Sequence, residues 1–328
     1  MSRLPPVDKL PLAIRKDGKF PFHSQAPLET PEQDSPTRPV RDNYESKKDE
    51  LAKKISDVLG AEWTVDINPN QIYAYAKDGY AKESPGAMIA AYVEGVEWQL
   101  KDFVSKYGDA GRTEINTLVP AHVLTMDLDV DGKFTYCGCE VSESGGLVIL
   151  FGPDALGTNI DSAASEENLT KALNAASAPG LPMSYVARRS VRDEYDAQIV
   201  PIQARINEQL GREVTLRPGF EEAFEKLKAA ADAGDHWEVN LGMYVREYFD
   251  ALASWLEYNK AKDDEMVREG VNEAAERGEV LFRVVDDGVV KSGYNETVVE
   301  GGALYLQTVP GNFGTNIGQV ADTLMDQL

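Results

Sequence analysis

The chain has 328 residues, and 33 Lys and Arg against 55 Asp and Glu leave a formal charge of −22 at neutral pH. A hydrophobic fraction of 42% with 27% charged residues is ordinary globular composition, which excludes wholesale disorder and fibrous repeats. Strong negative charge, uninterrupted by any Lys/Arg-rich stripe, repels phosphate backbones and anionic lipid heads, so the expected partner is a protein or a small-molecule ligand, not nucleic acid and not a membrane.

The N-terminal residues develop no signal-peptide stretch, and no run approaches the ~18 apolar residues of a membrane span, so a cytoplasmic protein is expected. The sequons at Asn168 and Asn295 then read as chance. Two cysteines, Cys137 and Cys139, cannot build a disulfide framework.

In chain order, the first 40 residues hold eight of the 17 prolines and no periodicity. An extended arm is expected over 1–37. Beyond it the sequence matches itself. Arg38-Pro39-Val40-Arg41-Asp42-Asn43-Tyr44 pairs with Arg189-Ser190-Val191-Arg192-Asp193-Glu194-Tyr195, and Leu59-Gly60 with Leu210-Gly211. Tyr92-Val93 pairs with Tyr244-Val245, Asp131-Gly132 with Asp287-Gly288, and Gly145-Gly146 with Gly301-Gly302. The last match sets Gly157-Thr158-Asn159-Ile160 against Gly314-Thr315-Asn316-Ile317. The collinear order points to a tandem duplication, with repeats over 38–176 and 189–328 and a Pro- and Gly-containing linker over 177–188.

Each repeat opens on a helix, marked by Tyr44, Leu51, Ile55 and Val58 in one and by Tyr195, Ile199, Ile202, Ile206 and Leu210 in the other, ending at Gly60 and Gly211. A short strand comes next, at Trp63 to Ile67 and Val214 to Leu216, then a short helix. Ile89, Tyr92, Val93, Val96, Leu100 and Phe103, matched by Leu241, Val245, Tyr248, Leu252, Trp255 and Leu256, predict a long amphipathic helix over the sheet. Leu124, Met126 and Leu128 alternate with Thr125, Asp127 and Asp129, as in a strand with one wet face. The Asp-Gly pairs read as hairpin turns, and Leu147 to Phe151 or Ala303 to Gln307 as the third strand of a meander before a closing helix. The expected fold class is α+β: an antiparallel sheet covered by helices, occurring twice and packed as an intramolecular pseudo-dimer, so that the chain is a monomer.

Candidate chemistry is sparse. Asp127-Leu128-Asp129-Val130-Asp131-Gly132 opens like a calcium loop, but its twelfth position is Gly138 where a bidentate Glu is needed, so a wet strand face is the preferred reading. Cys137-Gly138-Cys139 puts two thiols on one strand face, with Gly293 and Asn295 set opposite them in the second repeat. With His23, His122 and His236 unrelated in spacing, no metal and no cofactor are expected and the thiols read as buried structural groups. Walker, dinucleotide-binding, nucleophile-elbow and His-x-x-x-His patterns are missing, and catalytic residues are not identifiable. The acidic run Lys262–Glu269 reads as a solvated helix face. Asp42 and Asp193 are expected to cap the first helix of each repeat with Arg41 and Arg192 as partners.

Thr158, Asn159, Thr315 and Asn316 are the candidate ligand-binding residues. They are expected to open the closing helices, where they either cap free N–H groups or seat a small anion. The function expected is a non-catalytic interaction or small-ligand-binding protein. The alternative is an enzyme using carboxylates in a pocket under the long helix of one repeat.

Overall fold

The computed structural model describes residues 41–77, 79–176, 180–234, 236–291 and 293–328. The expected arm over 1–37 lies outside the described residues. The chain divides into two compact units, Met1–Pro179 and Gly180–Leu328. Both are mixed helix and strand, and each holds one four-stranded sheet.

The first unit begins with a π-helical turn at Arg41–Glu45 and helix α1 (Lys48–Leu59), stopped by Gly60 at φ 65. Strand β1 (Thr64–Val65), the short helices α2 (Pro69–Tyr73) and α3 (Gly79–Glu83) and the long α4 (Pro85–Leu118) come next. Gly108, at φ 62 and ψ −152, breaks α4 into a longer and a shorter helical segment. Strands β2 (Val123–Leu128), β3 (Cys137–Val141) and β4 (Leu147–Phe151) complete the sheet, and α5 (Glu166–Ala175) closes the unit. Ile89, Tyr92, Val93, Val96, Leu100 and Phe103 bury the α4 stripe that the helical spacing marks out.

The sheet order is β1-β2-β4-β3, and it corrects the expected meander. β1 and β4 both run parallel to β2, and only the β3–β4 pair is antiparallel. All five residues of β4 are buried. A continuous apolar run of this kind belongs inside a sheet, covered on both faces and paired on both sides, whereas a meander would leave β4 at an edge. The edge goes to β3, with its shorter side chains. Consequently the hairpin forms at Ser142–Gly146, where Ser142 N donates to Gly146 O at 2.9 Å and Gly145 takes φ 80. Asp131-Gly132 lies instead in the connection that carries the chain from β2 past β4. The expected wet face is also mistaken at two positions, because Asp127 and Asp129 are buried. Asp127 Oδ1 accepts from Leu128 N, and Asp129 Oδ2 accepts from Phe134 N at 2.9 Å as the connection folds back over the strand end.

The second unit starts inside the stretch expected to be linker. Helix α6 (Tyr185–Ser190), capped by the Ser184 hydroxyl, buries Tyr185 and Ala187. A π-helical turn (Val191–Asp196) leads to α7 (Ile199–Leu210), stopped by Gly211 at φ 65. Then come β5 (Thr215–Arg217), α8 (Phe220–Ala229), the long α9 (Trp237–Tyr258), α10 (Glu265–Ala274), β6 (Glu279–Val284), β7 (Asn295–Glu300) and β8 (Ala303–Thr308). The order β5-β6-β8-β7 and its pattern of directions match those of the first sheet. The expected closing helix is not formed here; short 3-10 turns at Ile317–Gln319 and Leu324–Gln327 take its place.

Matching contacts recur at matching points of the two units. Asn116 Nδ2 donates to Leu59 O at 2.9 Å, and Asn272 Nδ2 to Leu210 O at 3.0 Å. Trp63 N donates to Ser56 Oγ, and Val214 N to Asn207 Oδ1, each at 2.9 Å. The sequence match of Tyr92 with Tyr244 is one turn out: Tyr92 Oη accepts from Gly157 N, and it is Tyr248 whose hydroxyl reaches the corresponding region through Asn295. A slip of four residues on a 3.6-residue period keeps the same face inward, so periodicity alone does not detect it.

Helix capping by Asp193 is likewise corrected. Arg192 and Asp193 pair with each other, Nε to Oδ1 at 2.7 Å, but α7 begins after Gln198 with no side-chain cap. Arg41 and Asp42 have side chains outside the described set.

The two asparagines differ in one respect that sets their relative worth. Asn116 Oδ1 also accepts from Trp63 Nε1 at 2.9 Å, whereas Asn272 Oδ1 is buried without a partner where Val214 stands in the place of Trp63. Asn116→Ala therefore costs about 2 kcal/mol, and Asn272→Ala about 1 kcal/mol or less. Urea unfolding of the two variants checks the ranking.

Candidate functional site

The Gly-Thr-Asn-Ile turns leave the last strand of each sheet. Gly157 and Gly314 adopt φ 84 and 85, and Asn159 and Asn316 both adopt φ 49 with ψ 42 and 39, squarely left-handed. Neither asparagine side chain caps a helix, and each leads into a 3-10 turn of only three residues; in the first unit α5 starts later, capped by Ser165. The capping expectation is thus corrected: asparagine serves here because it tolerates the left-handed region. Thr158, Asn159, Thr315 and Asn316 therefore stand in left-handed turns ahead of 3-10 helices and not at the first turn of a regular helix.

The carbonyls of these turns are held by the edge strand. Cys137 Sγ donates to Asn159 O at 3.2 Å, and Asn295 Nδ2 donates to Thr315 O at 2.7 Å and Asn316 O at 3.1 Å. Cys137 pairs with Phe151 and Asn295 with Thr308, the last residues of β4 and β8, so these two residues are counterparts and Thr297 stands opposite Cys139. The gapless match of the cysteines with Gly293 and Asn295 fails because the β6–β7 connection is longer than the β2–β3 connection. Asn295 is 2% exposed with both amide atoms engaged, which makes its sequon inaccessible in the folded chain.

Both thiols are free and buried. Burial, with Asp161 nearby, pushes Cys137 up to about 11, and burial pushes Cys139 up to about 12. Among the described residues no three His, Cys, Asp or Glu side chains gather as metal ligands.

A concave surface lies elsewhere, in the second unit, between α9 and the turn after Asn316. It is a groove of about 410 Å³, lined by Ala251, Trp255, Tyr258 and Ile317 together with Glu247, Asp250, Ser254, Gly318 and Asp322. The α9 residues recur at intervals of three and four, forming one stripe along the helix. Helical spacing predicts an inward Trp255; its ring in fact packs partly against the core and partly lines the groove. Arg205 neutralises one edge, pairing with Asp250 and, at 2.8 Å, with Glu257, and donating to Ser254 Oγ at 3.2 Å. Asp322 has no charge partner among the described residues.

A second concavity of about 720 Å³ is lined by Asn259, Lys260, Asp263, Asp264, Glu265, Met266 and Glu269. This covers most of the acidic run Lys262–Glu269. Part of that run is structural: Asp264 caps α10, and Lys262 pairs with Glu208 at 2.7 Å. Met266, however, is 84% exposed and Tyr258 87%.

The corresponding positions of the first unit carry different side chains. Gln99, the counterpart of Trp255, donates to Asp161 O at 3.0 Å, and a Cβ added at Gly95 would meet Asp161, the counterpart of Gly318, at ordinary contact distance.

None of the groove residues stands out as a site in the sequence. An available signal is the pair Trp255 and Tyr258, two aromatics three apart, of which only one fits an inward stripe. Comparison with known proteins finds no matching family model, no matching curated protein and no matching solved structure.

The turn and the thiols each give an expected outcome. Asn159→Thr keeps a good capping side chain but places a β-branched residue at positive φ, so it should cost more than about 1 kcal/mol while Asn159→Gly is nearly neutral; thermal unfolding distinguishes the two. The thiols should resist alkylation at pH 8 in the native protein and react after denaturation. Because burial raises both pKa values above the unfolded value of about 8.5, the stabilisation is complete below that pH and is lost as pH rises toward 11. A pH series of denaturation curves, compared with the Cys137→Ser/Cys139→Ser protein, reads this directly.

Proposed function

We propose that the protein is a non-catalytic interaction protein built from two duplicated α+β units, in which the second unit carries a binding surface for a cationic ligand. The observation that supports it most is the contrast between the two units. Aromatic rings and carboxylates line an accessible groove in the second unit, and the first unit has Gln99 at the position of Trp255 and Asp161 at that of Gly318. Duplication accounts for the common strand order and the recurring asparagine and tyrosine contacts. It also leads us to expect a monomer whose units form an intramolecular pseudo-dimer, for which light scattering is the check.

Binding is favoured over catalysis because of where the carboxylates stand. Those of the groove are accessible to water. The buried Glu296 serves the fold: it accepts from Lys291 N at 3.0 Å and from Gln307 Nε2 at 2.7 Å, and Gln307 in turn accepts from Arg283 Nε at 2.8 Å. An acid or base catalyst needs a water-poor site that shifts its pKa, with a vacancy for substrate beside it. Among the described residues no helix is long and apolar enough to cross a membrane.

Native mass spectrometry of the protein purified from its own source tests this reading. A retained positively charged partner should be present on the wild type and absent from the Tyr258→Ser/Asp322→Lys protein, whose fold is unchanged. Retention of the same species by both proteins contradicts it.

A further inference from the structure

We infer that the occupant of the groove is an extended Lys/Arg-bearing segment of a polypeptide, and not a small free cation. The inference rests on the cation-binding reading and is carried by the length of α9 that the groove occupies and by the carboxylates, Tyr258 and Met266 exposed along α9 and α10. From Glu247 to Tyr258 the groove spans eleven residue steps of α9, roughly 16 Å of helix at about 1.5 Å per residue. About five residues of extended chain cover that length. The second concavity begins at the next residue, Asn259. Together the two surfaces present seven carboxylates and a single lysine.

A small cation uses one aromatic ring and one or two carboxylates, and leaves the rest of this surface without a role. A polypeptide uses all of it. Its first cationic side chain lies over Trp255 toward Asp322, gaining cation–π and Coulomb attraction, with its aliphatic stem on Ala251 and Ile317. Its apolar side chains cover Tyr258 and Met266, large side chains that are almost wholly exposed in the free chain. Its remaining cations meet the carboxylates around α10. Gly318 supplies the clearance, with open space where a side chain would stand. The formal charge of −22 adds long-range steering of a basic partner toward this face.

Calorimetric titration of the full chain with an acetylated, amidated ten-residue peptide of alternating lysine and leucine tests the inference, with N-acetyl-lysine methylamide as the small cation. The peptide should bind at least 100-fold more tightly than the small cation. Asp322→Lys and the Tyr258→Ser/Met266→Ser pair should each weaken the peptide by 10-fold or more. All three side chains are exposed, so unchanged melting is expected and identifies the losses as contact losses. If both probes bind with similar strength and only the groove substitution matters, the segment inference is overturned while the cation-binding reading stands. If neither probe binds, both fail. Peptide binding indifferent to all three substitutions is diffuse attraction to an acidic protein, and it too overturns the inference.

Discussion

The geometry of each unit depends on one left-handed turn held from two sides. After the central strand of each sheet the chain must reverse within a few residues, and it does so through a glycine at φ 84 or 85 and an asparagine at φ 49. Turn carbonyls exposed by that reversal would be costly to bury unpaired. The first residue of the edge strand satisfies them, through the Cys137 thiol in one unit and the Asn295 amide in the other. A buried tyrosine hydroxyl on the long helix completes the clamp: Tyr92 accepts from Gly157 N at 3.1 Å, and Tyr248 donates to Asn295 Oδ1 at 2.7 Å. Helix, edge strand and turn are thereby fixed in one arrangement. A Cβ on Gly314 would stand 2.4 Å from the Tyr244 ring, which shows how closely the turn approaches the helix.

Much of this was legible in the chain. The stripes of α1, α4, α7 and α9 are set by spacing, and Gly60 and Gly211 mark helix ends because a left-handed residue is what a helix end requires. Strand pairing was less legible, since chain order suggests a meander, while the decisive clue, the unbroken apolar run Leu147–Phe151, concerns burial on both faces. Helix register was ambiguous for a geometric reason: sliding Tyr92 by one turn against the second repeat preserves every inward position. The Asp-Gly pairs do adopt positive φ, at 65 and 79 for Gly132 and Gly288, yet they turn a longer connection and not a two-residue hairpin.

The candidate site was nearly illegible because it depends on what is missing. Gly318 stands in place of Asp161, and Trp255 in place of Gln99, and neither change alters the helical pattern. The strongest sequence match directs attention to the turn itself, whose constancy is explained by backbone conformation. Function, on this account, lies beside the repeated motif, at positions where the two units diverge: a shared clamp sets the distance between helix and turn, and the side chains that fill or vacate that space decide whether a unit can bind.

Hydrogen–deuterium exchange on the full chain, with and without the lysine–leucine peptide, addresses that account most directly because it locates the contact along the backbone. Slowed exchange confined to 247–269 and 317–322, with the first unit unchanged, is the predicted result. Protection centred on the first unit, or spread evenly over both, would contradict the assignment of binding to the open groove of the second.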